Sequence, residues 1–223
     1  MNSVTTKKST ILIGIFFTIL LLLTTLLLSP LFSKLKISKT GVFLASRVLI
    51  WLVLLLVAVF CFKIEKQKML LWVETKLSVG AYIKSFFMII GSIIIGAIII
   101  GLTLKATGYK TESDKLMEII KVFKNNYLLL IFTCLTAGIT EELIFRGYLM
   151  PRLKLFFNNN YMSIAISSLL FGLMHFGYGT LVQIIGPIFI GTVFAVHYQK
   201  YRNIKILIFC HFFWDFMMLT LKI

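Results

Sequence analysis

Seven stretches of this 223-residue chain carry an apolar run close to the length that a membrane span needs, about 20 residues. They fall at about 11–28, 42–62, 85–104, 127–149, 161–178, 181–198 and 204–221. A backbone in hydrocarbon has no water to bond to, so such runs are either helices or closed barrels, and runs this long and continuous are helices. With 59% hydrophobic and 14% charged residues, an ordinary soluble domain is excluded. The expected fold class is all-α: a polytopic transmembrane helix bundle of about seven spans, eight if residues 63–84 hide another. No linker divides it, so residues 1–223 read as a single membrane domain.

The net charge of +15 does not point to nucleic acid. The lysines and arginines sit mostly in the connections between runs, where they anchor helices and meet anionic headgroups. Their slight excess on the side of Lys7 and Lys8, against Lys34, Lys36 and Lys39 among others on the opposite side, predicts a cytoplasmic N-terminus. The run Ile11 to Leu28 lacks a small-residue cleavage site and reads as a retained signal-anchor, with Leu28-Ser29-Pro30 as a helix exit. The stretch from Lys63 to Lys84, with Trp72 and Tyr82 among lysines, suits a helix lying in the interface. MEIIKVF, within the polar connection 105–126, suits a short amphipathic turn. Cys61, Cys134 and Cys210 all lie in apolar segments and read as buried free thiols. Gly91, Gly96 and Gly101 recur every five residues and predict close packing in general, not a dimer seam.

Against this background, five acid–base groups stand inside expected spans. Glu141 and Glu142 lie in LTAGITEELIFRGYLM, His175 in SSLLFGLMHFGYG, and His211 and Asp215 in LIFCHFFWDFMMLT. Ionisable side chains at membrane depth are costly and normally face a cavity, a partner or a reaction. Glu142 and Arg146 are i and i+4 and can pair on one helix face, leaving Glu141, rotated by about 100°, to point elsewhere. The bland alternative for this segment is a buried ion pair with a spare carboxylate. His211 and Asp215 are also i and i+4, a spacing that lets a carboxylate orient an imidazole. Together the three segments supply a general base, two imidazoles and an orienting acid, enough to activate water and stabilise an oxyanion. Glu141, His175 and His211 would equally be the ligands of a zinc ion, if one is held.

These segments resemble the type II CAAX prenyl protease and bacteriocin-processing (Abi, CPBP) family of intramembrane proteases. EELIFR at 141–146 fits that family's EExxxR motif, FGLMH at 171–175 its FxxxH motif, and HFFWD at 211–215 its HxxxN/D motif. The resemblance covers about residues 127–219, the expected catalytic core; the first 125 residues match only as apolar spans. It implies an intramembrane endopeptidase acting on a membrane-associated peptide or protein. Glu141 is implied to polarise the attacking water with His175, while His211 and Asp215 form the oxyanion wall. Glu142, Arg146 and Phe171 are implied to support them. Asp215 replaces the Asn of many members; a carboxylate is a poor oxyanion donor, so its expected task is to orient His211.

The short layout resembles the family's bacterial relatives, which implies a bacterial plasma-membrane protein engaged in peptide maturation or bacteriocin self-immunity. The alternatives are a non-catalytic membrane immunity or scaffold protein and a proton-coupled carrier. A metal is not expected to be essential, zinc being the alternative. Arg47 is expected to snorkel or pair with a loop, and His197 to sit at headgroup level. Helical rise places Glu141 and His211 about 10–12 Å from the membrane face on the side of the N-terminus, which predicts a cavity opening there.

Overall fold

The computed structural model describes residues 7–32, 38–124 and 126–223. The connection with the lysines at 34 and 36 lies outside them. The described residues fold as an all-helical bundle. Helix α1 (Lys8–Phe32) leads to α2 (Lys39–Val59), which ends in a π-helical turn (Phe60–Glu65). Then follow α3 (Val79–Ala106), α4 (Asp114–Phe123) and α5 (Tyr127–Glu142). A second π-helical turn (Leu143–Leu149) carries α5 into α6 (Met150–Phe157). After α7 (Asn160–Leu173) a 3₁₀ turn (Phe176–Tyr178) precedes α8 (Val182–Tyr201) and α9 (Ile204–Thr220).

Six of these helices are long and apolar enough to cross a membrane: Lys8–Leu28, Lys39–Glu65, Val79–Ala106, Tyr127–Phe157, Asn160–Tyr178 and Val182–Tyr201. The protein is an integral membrane protein. The seventh expected span exists as α9, but its 17 residues put it at the short limit for a crossing helix. α1 runs through Pro30 to Phe32, where an exit was expected four residues earlier. α4 is the amphipathic element expected in 105–126, its N-cap Ser113 accepting from the backbone N–H of Leu116.

The interface helix expected over 63–84 is not formed, nor is an eighth span. Lys66 adopts a left-handed conformation (φ 54°) that ends the π-helical turn, and residues 66–78 run without a helix to Val79. Side chains from elsewhere hold this segment in place. Arg152 donates to the carbonyls of Lys68 and Met69, and Asn203 to that of Thr75. Glu74 accepts from the Tyr198 hydroxyl at 2.8 Å and the Ile204 N–H at 2.6 Å. The Arg202 guanidinium lies 3.6 Å over the Trp72 ring. With polar partners supplied this way, the backbone does not need a helix to satisfy itself.

The segment 66–78 and the α8–α9 turn therefore share the end of the bundle that carries Lys8, called here the near end. The far end carries Lys39, α4 and the 3₁₀ turn, where the Ser113 hydroxyl donates to the Tyr178 carbonyl at 2.6 Å. The helix containing Glu141 does not stop at residue 149 as expected. Pro151 falls in the first turn of α6, where its missing N–H is tolerated, so the helix continues to Phe157. Glu141 thus stands midway along a 31-residue span.

Two close approaches position the core of the bundle. α5 meets α9 at Gly138, where a Cβ would come within 2.9 Å of the Ile208 carbonyl oxygen and 3.3 Å of the Phe212 nitrogen. α7 meets α8 at Gly172, where a Cβ would come within 2.8 Å of the Ile184 carbonyl. Apolar residues pack around these seams, among them Ile89, Phe194, Leu207 and Trp214 on α3, α8 and α9. Leucines and phenylalanines such as Phe16, Leu27 and Leu128 stay exposed on the outside, as lipid-facing positions do. Cys61, Cys134 and Cys210 are buried and free.

Candidate active site

The close approach at Gly138 sets the last turn of α5 against the middle of α9. Glu142 is fully buried, and its Oε1 accepts two hydrogen bonds: from Arg146 Nη1 at 2.8 Å and from His211 Nδ1 at 2.8 Å. The i,i+4 pairing of Glu142 with Arg146 is present, across the start of the π-helical turn. Arg146 also donates through Nη2 to the Gly191 carbonyl at 3.1 Å. Its guanidinium lies 4.4 Å from the Phe171 ring centre and 5.4 Å from that of Phe194. Both contacts are favourable for a desolvated cation.

A carboxylate only accepts, so the contact with Glu142 fixes the proton of His211 on Nδ1. The other nitrogen, Nε2, lies 3.4 Å from Asp215 Oδ2 and 3.9 Å from Glu141 Oε2. His211 is therefore held at both edges of its ring: at Nδ1 by Glu142, 69 residues away in sequence, and at Nε2 by Asp215, the partner that the i,i+4 spacing suggests. Glu141 points away from Arg146, and its side chain remains 19% exposed.

His175 lies beyond the end of α7, at the turn before Phe176, not at mid-span. Its Nδ1 donates to the Phe171 carbonyl at 3.0 Å, and its ring stacks against Tyr178. Phe171, 2% exposed, has its ring centre 5.2 Å from that of His175 and 5.9 Å from that of His211. It is the wall between the two imidazoles.

Glu141 and His175 line a cavity of about 580 Å³, with Phe145 and Tyr178 beside them and Leu22 and Arg47 on other walls. His211 and Asp215 are not among the lining residues, and His211 Nε2 stands 3.9 Å behind Glu141 Oε2. Lys39, the first residue of α2, and Lys115, at the start of α4, also line it, so the cavity lies toward the far end of the bundle. The expectation of an opening on the N-terminal side is corrected: Glu141 is as far from the near end as from the far one, and His175 lies at the far end. One more expectation changes: Arg47 lines the cavity instead of pairing with a loop. His197, in the last turns of α8 at the near end, is 5% exposed and packs on Tyr201 with ring centres 4.4 Å apart.

A second buried polar cluster was not anticipated from the sequence. Glu65 accepts from the Tyr148 hydroxyl at 2.7 Å and from Arg152 Nε and Nη2 at 2.8 and 2.6 Å. Arg152 Nη2 also donates to Cys61 Sγ at 3.1 Å. Its signal was hidden because Glu65 sits in KIEKQK, which reads as a solvated charge run, and Arg152 in a basic connection.

Both imidazoles use Nδ1 on a protein acceptor, which leaves Nε2 suited equally to a water or to a metal ion. Among the described residues, however, no three His, Cys, Asp or Glu side chains converge closely enough to hold an ion. The set Glu141, His175 and His211 does not fit a metal centre in this arrangement.

A family model described as "Rce1-like: Type II CAAX prenyl endopeptidase Rce1-like" matches residues 123–217. No curated protein and no solved structure matches the chain. The matched segment runs from the end of α4 into α9 and contains Glu141, Glu142, Arg146, Phe171, His175, His211 and Asp215. Residues 123–217, and with them every residue of this candidate site, are thus similar to the type II CAAX prenyl endopeptidases described by that model.

Proposed function

We propose that the protein hydrolyses a peptide bond of a membrane-associated peptide or protein with a water activated by Glu141. The observation that carries this reading is the position of Glu141 alone between a cavity and a buried imidazole. Its neighbour Glu142 is consumed by Arg146 and His211, whereas Glu141 keeps an exposed edge and no arginine partner. A carboxylate at the wall of a cavity, with no arginine to hold it, is a suitable general base.

In this mechanism Glu141 takes a proton from water, and the hydroxide adds to the scissile carbonyl carbon. His175, its Nδ1 tied to the Phe171 carbonyl, presents Nε2 to the water and holds it. His211, bearing a proton on Nε2 as well as Nδ1, donates to the oxyanion, with Asp215 and Glu142 fixing the plane of its ring. The carbon–nitrogen bond then breaks, and the departing amine takes the proton from Glu141. Every step uses this chain's own side chains. Peptide maturation and self-immunity against a bacteriocin are the two roles that such cleavage would serve.

The test is cleavage of quenched-fluorescent peptides, both prenylated CAAX-type and unmodified apolar ones, by purified protein in detergent. Glu141→Gln keeps size and hydrogen bonding but removes the base, and should abolish cleavage. His175→Ala and His211→Ala should do the same, whereas His197→Ala, at the other end of the bundle, should leave the turnover of folded protein intact. Wild-type rates in Glu141→Gln would sink the mechanism.

A further inference from the structure

Arg47 is a guanidinium in a membrane span with no counter-ion. It is the ninth residue of α2, about 12 Å along the helix from Lys39. Its contacts are weak: Nε to the Ser46 hydroxyl at 3.4 Å, and the Phe43 ring at 5.1 Å. Among the described residues no carboxylate lies within ion-pair distance of it. All eight Asp and Glu residues of the chain are among those described, so no undescribed acid side chain is left to supply one.

The chain's other deeply placed arginines are treated differently. Arg146 and Arg152 are fully buried, and each is paired with its own glutamate. Arg47 instead lines the cavity that also holds Glu141 and His175. The face of α2 turned to that cavity reads Lys39, Val42, Phe43, Ser46, Arg47 and Ile50, a helical stripe at i, i+3, i+4, i+7, i+8 and i+11, with Leu49 at its edge. It combines apolar contacts with a cation at each of two depths. A guanidinium is always charged, and its planar fork matches a carboxylate in two parallel hydrogen bonds.

We propose that Arg47 is a substrate-binding residue: it holds a carboxylate of the peptide being cleaved, while the apolar side chains of the same cavity receive the flanking part of that peptide. The assignment deepens the proteolytic reading and depends on it for the word substrate, but the anion site itself is a binding property. Glu141 explains why the anion belongs to the cleaved molecule: a separate anionic lipid lodged in the cavity would obstruct the base it serves. Lys39 and Lys115, both exposed and both lining the cavity, add positive potential along the way in, offset in part by Glu118 on the same wall.

Binding can be read without cleavage. The probes are N-dodecanoyl-leucine, its primary carboxamide and dodecyl phosphate, titrated against the full chain in lauryl maltoside by thermal-shift and tryptophan-fluorescence measurements. Wild type should bind the acid at least about tenfold more tightly than the amide, the size of effect that a charge-assisted hydrogen bond supplies. That preference should fall to near unity in Arg47→Gln and survive in part in Arg47→Lys. It should persist in Glu141→Gln, a variant that tests proteolysis separately, so loss of cleavage there with the preference retained supports both readings.

Equal binding of acid and amide by wild type would overturn the proposal even if Arg47→Gln fails to fold. So would an equal loss of both ligands in Arg47→Gln, which would mark a structural role. Tighter, Arg47-dependent binding of dodecyl phosphate than of the acid would assign the residue to lipid headgroups and overturn it as well.

Discussion

Nδ1 of His211 and Oε1 of Glu142 lie 2.8 Å apart, and the same oxygen accepts from Arg146 at 2.8 Å. One carboxylate oxygen thus links α5, the following π-helical turn and α9, with no exposure of either Glu142 or Arg146. The hold on the Nδ1 proton of His211 depends on a carboxylate charge that Arg146 must neutralise.

The three residues should therefore behave as a unit. Removing one partner of a buried pair leaves the other charge uncompensated, at a cost of about 3–5 kcal/mol. Glu142→Ala and Arg146→Ala should each express poorly and lose cleavage. The double variant should be milder than the sum of the two in stability, yet remain inactive, because His211 has lost the acceptor at Nδ1. A double-mutant cycle on thermal midpoints checks the first point; strict additivity would refute the coupling.

Gly138 should be intolerant of even one methyl group. A Cβ there would press on backbone atoms of α9, the Ile208 carbonyl and the Phe212 nitrogen, which cannot swing aside as a side chain does. α9 would have to move by a few tenths of an ångström, carrying His211 away from Glu141. Misplacement on this scale lowers turnover on the order of tenfold. Gly138→Ala should show that fall in kcat with a much smaller change in KM, measured on a cleavable peptide in detergent.

Much of this architecture was legible in the sequence, and for a definite reason. Spans announce themselves by length, and the pairs Glu142–Arg146 and His211–Asp215 by the period of a helix. What escaped notice depends on contacts between distant segments or on departures from that period. The acceptor for His211 Nδ1 comes from another helix, so no local spacing could favour Glu142 over Asp215. The continuation of α5 to Phe157 relies on a π-helical turn before Pro151, and it moved the expected mouth of the cavity to the other end of the bundle. Lys63 to Lys84 looks like an interfacial helix because its aromatic and basic residues suit one. Its partners Tyr198, Arg152 and Asn203 lie too far along the chain to be seen from it.

The cluster of Glu65, Tyr148 and Arg152 should matter for stability and not for chemistry. It joins the end of α2 to α6 at the near end, remote from the cavity. Glu65→Ala should destabilise the protein by about 3–5 kcal/mol, since Arg152 would be left buried without its carboxylate. The folded fraction should cleave peptide at the wild-type rate. Thermal unfolding in detergent, paired with a rate normalised to folded protein, separates the two effects. A selective fall in kcat with an unchanged midpoint would show that this cluster serves the reaction.

Turnover should also survive thorough chelation. His211 has a carboxylate at each ring nitrogen, Glu142 at 2.8 Å and Asp215 at 3.4 Å, so a metal on Nε2 would have to share that edge with Asp215. His175 stands beyond the Phe171 ring, whose centre is 5.2 Å from one imidazole and 5.9 Å from the other. Glu141 would have to be ligand and base at once, and the charge of a bound cation would oppose its taking a proton. A carboxylate acting on water between two imidazoles avoids that conflict. Elemental analysis of active protein, followed by dialysis against a zinc chelator, is the measurement. Activity should be unchanged and the metal content far below one equivalent. Close to one equivalent of zinc, lost together with activity and restored with it, would mean that the two imidazoles move together in the working enzyme and that the water is activated by a metal.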